Sequence, residues 1–113
     1  MSKQETKLIG FLKEHYKFPS ATLTEITNFI DTDCEMRNLI YDLPKIITQE
    51  LENPQISLDF MKESNRNEKI LEIRVFSNLD EGRLLQKEEL IVDKVIDKYP
   101  NPKREYIILL EPN

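Results

Sequence analysis

Hydrophobic positions in the first half of the chain recur at helical spacing. Leu8, Leu12 and Tyr16 fall on one stripe with Ile9 beside it, while lysines and glutamates occupy the remaining positions, which predicts a helix over about 3–17. Phe18-Pro19-Ser20 ends it, because the proline ring pushes the preceding residue out of helical dihedrals. Thr22-Leu23-Thr24-Glu25 has the form of a capping box and opens a second helix, 22–30, that buries Leu23, Ile26 and Ile30 with Phe29 adjoining. The same form recurs at Thr32 to Glu35. It precedes Met36, Leu39, Ile40, Leu43, Ile47 and Leu51, the apolar stripe of a third helix over 33–51. Pro44 lies inside that helix, so a kink or a division into two shorter helices is expected there.

After Glu52-Asn53-Pro54 the period falls to two. Ile56, Leu58 and Phe60 alternate with Ser57, Asp59 and Met61, and beyond the polar tip 64–67 Leu71, Ile73 and Val75 alternate with Glu72, Arg74 and Phe76. This is a hairpin with one apolar face. Past Gly82, residues 83–99 return to helical spacing, with Leu84, Leu85, Ile91, Val92, Val95, Ile96 and Tyr99 on the buried side. Pro100-Asn101-Pro102 stops that helix, and 105–111 form a last strand that is apolar on both faces. The fold class is therefore α+β: N-terminal helices followed by a ββαβ unit with a small three-stranded mixed sheet, whose crossover should be right-handed. The chain reads as one domain, 1–113, with a helical part over 1–52 and a ββαβ part over 55–113. Ile70, Phe76, Ile107 and Leu109 point to the face opposite the main core. The N-terminal helices are expected to cover that second face, and pairing of two chains is the alternative.

Composition narrows the functional classes. Apolar residues make up 39% and charged residues 33% of 113 residues, enough apolar surface for one core. No apolar run reaches 18 residues and the first residues lead into a charged amphipathic segment, so a small cytoplasmic protein of bacterial type, without membrane attachment, is expected. Cys34 is the single cysteine, which excludes an internal disulfide or a thiolate-rich zinc or iron–sulfur centre. The net charge of -5 comes from 16 basic and 21 acidic side chains and is spread over both halves, unlike the basic footprint usual in nucleic-acid binders.

The segment richest in reactive groups is Ile30-Asp-Thr-Asp-Cys-Glu-Met-Arg37. Its acids alternate as in a calcium loop, but Met36 stands where that loop needs glycine, and Asp42 where it needs a bidentate acid within a helical pattern. We read the segment as the junction of two helices. The single histidine, His15, belongs at the end of the first helix, and two glycines do not make a phosphate-cradling loop. No catalytic, metal-binding or cofactor-binding residue is assigned. A small enzyme with a dispersed active site, using His15, Cys34 and acids, stands as a second alternative.

Two binding readings remain. The order helix, turn, helix, hairpin over roughly 3–77 resembles the winged helix-turn-helix family, and the resemblance implies DNA contacts from helix 33–51 and hairpin 56–77. Arg37, Asn38, Tyr41, Lys45 and Arg66 would supply them, although Asp33, Glu35 and Asp42 would repel phosphates. The leading reading is instead a non-enzymatic protein-interaction or regulatory module, with a protein partner or self-association. Its candidate contact residues are the acidic row Glu89, Asp93 and Asp97, flanked by compensating lysines 87, 94 and 98, and Met61, Arg74 and Phe76 on the outer side of the hairpin.

Overall fold

The computed structural model describes residues 3–61 and 69–113, apart from the side chains of residues 4 and 5. The hairpin tip, including Arg66, lies outside the described residues. The order is α1 (Lys3–His15), α2 (Leu23–Asp31), α3 (Cys34–Glu50), β1 (Gln55–Phe60), β2 (Ile70–Ser77), α4 (Glu81–Lys98) and β3 (Glu105–Pro112). The sheet runs β1-β2-β3, antiparallel between β1 and β2 and parallel between β2 and β3, so the fold is the expected α+β arrangement with a mixed sheet.

The helix starts follow from local hydrogen bonding. At α2 the Thr22 hydroxyl accepts from the Glu25 amide at 3.2 Å while the Glu25 carboxylate accepts from the Thr22 amide, the reciprocal box read from the sequence. At α3 the expected Thr32–Glu35 box does not form. Thr32 closes α2, its hydroxyl donating to the Phe29 carbonyl, and the cap of α3 is Asp33, whose Oδ1 accepts from the amides of Glu35 and Met36. A carboxylate one residue later serves better because Asp33 is buried and its other oxygen accepts from the Arg104 amide at 2.8 Å, tying the helix start to the chain entering β3. Asp80 caps α4 in the same way, so that helix begins two residues before the expected position 83 and takes in Gly82.

Pro44 does not divide α3, which runs unbroken over 17 residues. Proline at 44 deprives the Ile40 carbonyl of its intrahelical donor. The Tyr16 hydroxyl donates to that carbonyl instead, at 2.7 Å, from a side chain only 4% exposed. This bond also explains why α1 ends at His15 rather than 17. Tyr16 turns inward, and the next amide, Lys17, leaves the helix to donate to Ile56 while the Lys17 carbonyl accepts from the Leu58 amide. The 16–17 segment thereby closes the outer edge of β1 and plugs the gap in α3.

Between α3 and β1, Asn53 takes a positive φ of 48°, a conformation asparagine tolerates better than most residues. All four helices then share one core with one sheet face. Leu8 and Leu12 of α1, Ile26 and Ile30 of α2, the Met36–Leu39–Ile40–Leu43–Ile47 stripe of α3, and Ile91 and Val95 of α4 join Leu58, Leu71, Ile73, Val75 and Ile108. β2 alternates strictly between buried and half-buried residues. The helices do not cover the second face. Ile70, Phe76, Ile107 and Leu109 stay half-buried there, because each helix packs its buried residues against the first face and the second carries fixed charges between its apolar positions.

Candidate functional site

The second sheet face holds an open groove of about 640 Å³ along β1 and β2. Strand register builds it: Gln55 lies opposite Phe76, Ser57 opposite Arg74, and Asp59 opposite Glu72. Met61 and Phe60 line one end, and Lys17 and Pro19 overhang the β1 side. Three of the residues singled out for protein contact, Met61, Arg74 and Phe76, therefore meet at one surface.

Its charges are arranged to be quiet. Two carboxylates directly across a strand pair would repel, yet each has its own partners. Asp59 Oδ1 accepts from the amides of Ala21 at 3.0 Å and Phe60 at 2.9 Å, closing the β1 edge beyond Lys17. Glu72 accepts from Arg74 Nε, and the opposite fork of that guanidinium reaches Glu111 of β3 at 3.2 Å. Glu72 first, with Glu111 assisting, holds the Arg74 cation still more firmly protonated than usual. The hairpin pattern shows Arg74 facing outward, but it carries no sign of Glu111, which joins only because β3 lies parallel to β2.

The acidic row is placed differently from that cluster. Glu89, Asp93 and Asp97 all lie exposed on the outward side of α4, away from the groove. The lysines expected to offset them turn the other way. Lys87 and Lys94 bridge to Glu50 at 3.1 and 2.7 Å, and Lys98 bridges to Asp42, so they fasten α4 to α3. These bonds hold the pKa of both carboxyls below their ordinary values: the Lys94 contact, then Lys87, for Glu50, and the Lys98 hydrogen bond for Asp42, where Tyr99 adds a second donor at 3.0 Å. A depression of about 370 Å³ between the two helices has Lys45 and Asp97 in its lining.

Helix α3 sinks six residues of its apolar stripe into the core. Of the residues proposed for DNA, Asn38 and Lys45 are exposed. Arg37 is held by Asp31, donating to its carbonyl at 2.6 Å and pairing with its carboxylate at 3.1 Å. Tyr41 packs edge-on against Phe11, centroids 4.8 Å apart, with Lys7 over its ring. Cys34 is exposed in the first turn of α3, and His15 stacks on Phe11 at 4.2 Å; no hydrogen bond joins the two. Among the described residues no group of three or more His, Cys, Asp or Glu side chains is placed to hold a metal ion, and no helix is long and apolar enough to cross a membrane. Compared with protein-family models, curated proteins and solved structures, the chain matches none.

Proposed function

We propose that this chain is a non-enzymatic protein-interaction module of the cytoplasm that receives a partner segment on the uncovered face of its sheet. The observation that carries the reading is that face itself: four half-buried apolar side chains, Ile70, Phe76, Ile107 and Leu109, surround the fixed Glu72–Arg74–Glu111 cluster beside an open groove. Mixed apolar and satisfied polar groups of this kind suit recognition, since a partner can bury the apolar area without stranding a charge. Asp59, Glu72 and Arg74 in the groove are engaged with backbone amides, with one another or with Glu111, which favours holding a ligand over transforming one. A reducing compartment fits the exposed thiol of Cys34. DNA recognition through α3 is the weaker reading, because Arg37 and Tyr41 are already committed within the chain.

The test is selection of peptides from a displayed library against the whole chain, followed by mapping of the best binder by amide chemical shifts. Shifts should concentrate at Ser57, Glu72, Arg74 and Phe76, and Phe76→Asp should abolish binding while leaving the thermal transition in place. Binders that map to the helical side, or that tolerate Phe76→Asp, would overturn the reading.

A further inference from the structure

The two edges of the sheet are treated differently. The β1 edge is closed by Lys17 and Asp59, whereas β3 is the other edge and, among the described residues, its outward groups are closed only at the ends. The Asn113 amide donates inward to Ser77, so by alternation the odd residues of β3 face β2 and the even ones face out. Outward at one end, the Leu110 amide donates to Glu88 Oε1 at 3.0 Å and Pro112 has no N–H; before the strand, the Arg104 amide donates to Asp33. Between them the N–H and C=O groups of Tyr106 and Ile108 meet no described partner, and the strand there is Tyr-Ile-Ile-Leu-Leu, without the charge, proline or bulge that usually guards an edge.

The helix above supplies a second, independent observation. Leu85, Glu88, Val92 and Ile96 lie at i, i+3, i+7 and i+11, one row along α4. Glu88 is the member that reaches the β3 edge, so the row overlooks that edge, and Leu85 and Ile96 in it are 69% and 50% exposed. An extended peptide would pair with the strand and leave the helix row bare; a helix would cover the row and leave the strand open. A copy of this chain related by a twofold axis brings both layers at matching height.

We propose that two copies of this chain join edge to edge through β3, antiparallel, with the Leu85–Val92–Ile96 rows of their α4 helices packed above the seam. One register suits the groups present. With Ile107 opposite the partner's Ile107, Tyr106 exchanges both hydrogen bonds with the partner's Ile108, and its twofold equivalent does the same, so each open group is used. Arg104 and Leu110, whose amides are already satisfied, then face each other. Lys103 comes opposite the partner's Glu111, and Glu105 opposite an apolar residue. Moving the partner by one pair in one direction would set Glu105 against the partner's Glu111, a like-charge contact made twice. The result is a continuous six-stranded sheet with the helices on one side.

The register gives a sharp test. Ile107 would form a non-hydrogen-bonded antiparallel pair with its own copy, the geometry in which opposed side chains approach most closely. In a Cys34→Ser background, Ile107→Cys should therefore form a covalent dimer under mild oxidation, and Leu109→Cys, which the seam keeps apart from its copy, should not. Light scattering on the unaltered chain at about 100 µM should give twice the chain mass. Leu85→Lys with Ile96→Lys, both at exposed positions and so harmless to folding, should weaken association by about tenfold or more. A monomer at that concentration, or cross-linking at Leu109→Cys as fast as at Ile107→Cys, would overturn the proposal. Peptide binding at the β1–β2 groove is read separately, so either proposal can fail alone.

Discussion

Removing the Tyr16 hydroxyl tests how a proline is tolerated in the middle of α3. Tyr16→Phe keeps the ring and its packing and deletes one oxygen, which leaves the Ile40 carbonyl, deprived by Pro44 of its intrahelical donor, without its 2.7 Å bond inside the core. Leaving a buried acceptor unsatisfied costs about 1–3 kcal/mol, or about 4 °C in the thermal midpoint for each kcal/mol in a domain of this size. If the cost arises from the carbonyl, Pro44→Ala should relieve it, since alanine restores an N–H four residues after Ile40. Urea titrations of the four proteins, followed by circular dichroism, give the cycle. We expect Tyr16→Phe to cost about 1 kcal/mol less in the Pro44→Ala background. Equal costs in both backgrounds, within about 0.3–0.5 kcal/mol, would refute the link between the tyrosine and the proline. Alkali offers a second readout. Burial pushes the Tyr16 phenol well above its ordinary value, so the unfolded chain loses this proton first. The corresponding stability is intact below about pH 10 and declines above it, by up to about 1.4 kcal/mol per pH unit for one group. Tyr16→Phe should make that decline shallower.

Other expectations follow from single contacts. Asp33→Ala removes the α3 cap and the Arg104 tie together and should cost about 2–3 kcal/mol in urea titration, while Thr32→Ala, which loses bonds from an exposed Arg104 side chain, should cost under about 1 kcal/mol. Equal losses would restore the Thr32 cap. Glu50 is depressed by Lys94 and Lys87, so its contribution is present above the ordinary glutamate value near 4.5 and lost as pH falls through the lower folded value. Glu50→Gln should therefore cost about 0.5–1 kcal/mol at pH 7 and nothing at pH 2, with the difference shrinking in molar salt; a pH-independent cost would mean that packing alone is involved. Gly10→Ala, whose new methyl meets nothing within 4 Å in mid-helix, should stabilise the chain by about 0.5–1 kcal/mol, as read from the thermal midpoint.

The elements that sequence periodicity makes visible are those whose order is set by local burial. The α3 stripe from Met36 to Ile47 and the strict alternation of β2 are of this kind, and both stand within a residue or two of their expected limits. What periodicity misses is partners distant in sequence. Lys87, Lys94 and Lys98 have the spacing of helical neighbours to the acidic row, so they read as its compensation; only the packing of α4 on α3 gives them Glu50 and Asp42. Asp33 and Thr32 are both good caps by type, and the choice between them is made by an amide 71 positions later. The face was half legible: alternation sets Arg74 and Phe76 on one side with Asp59, but Glu111 joins the Arg74 cluster only through the β2–β3 register.

The contrast between the two sheet edges bears on both proposals. Closing β1 consumes Lys17 and Asp59, and the same two residues form part of the groove's rim, so edge protection and groove construction are one device at that end of the sheet. Among the described residues β3 has no such device, and Glu88 and Asp33 cap the amides flanking the open pair. Edge-to-edge pairing at β3 would leave the grooves at the far ends of six strands and on the same face, with both partner sites pointing in one direction. Two linked sites that open the same way bind a repeated or paired partner segment more tightly than one, provided the segments span the sheet. The affinity of a tandem peptide should then fall with Leu85→Lys and Ile96→Lys although neither residue touches a groove, while that of a single peptide stays unchanged. Equal affinities for tandem and single peptides on a proven dimer would show that the two grooves cannot be spanned together.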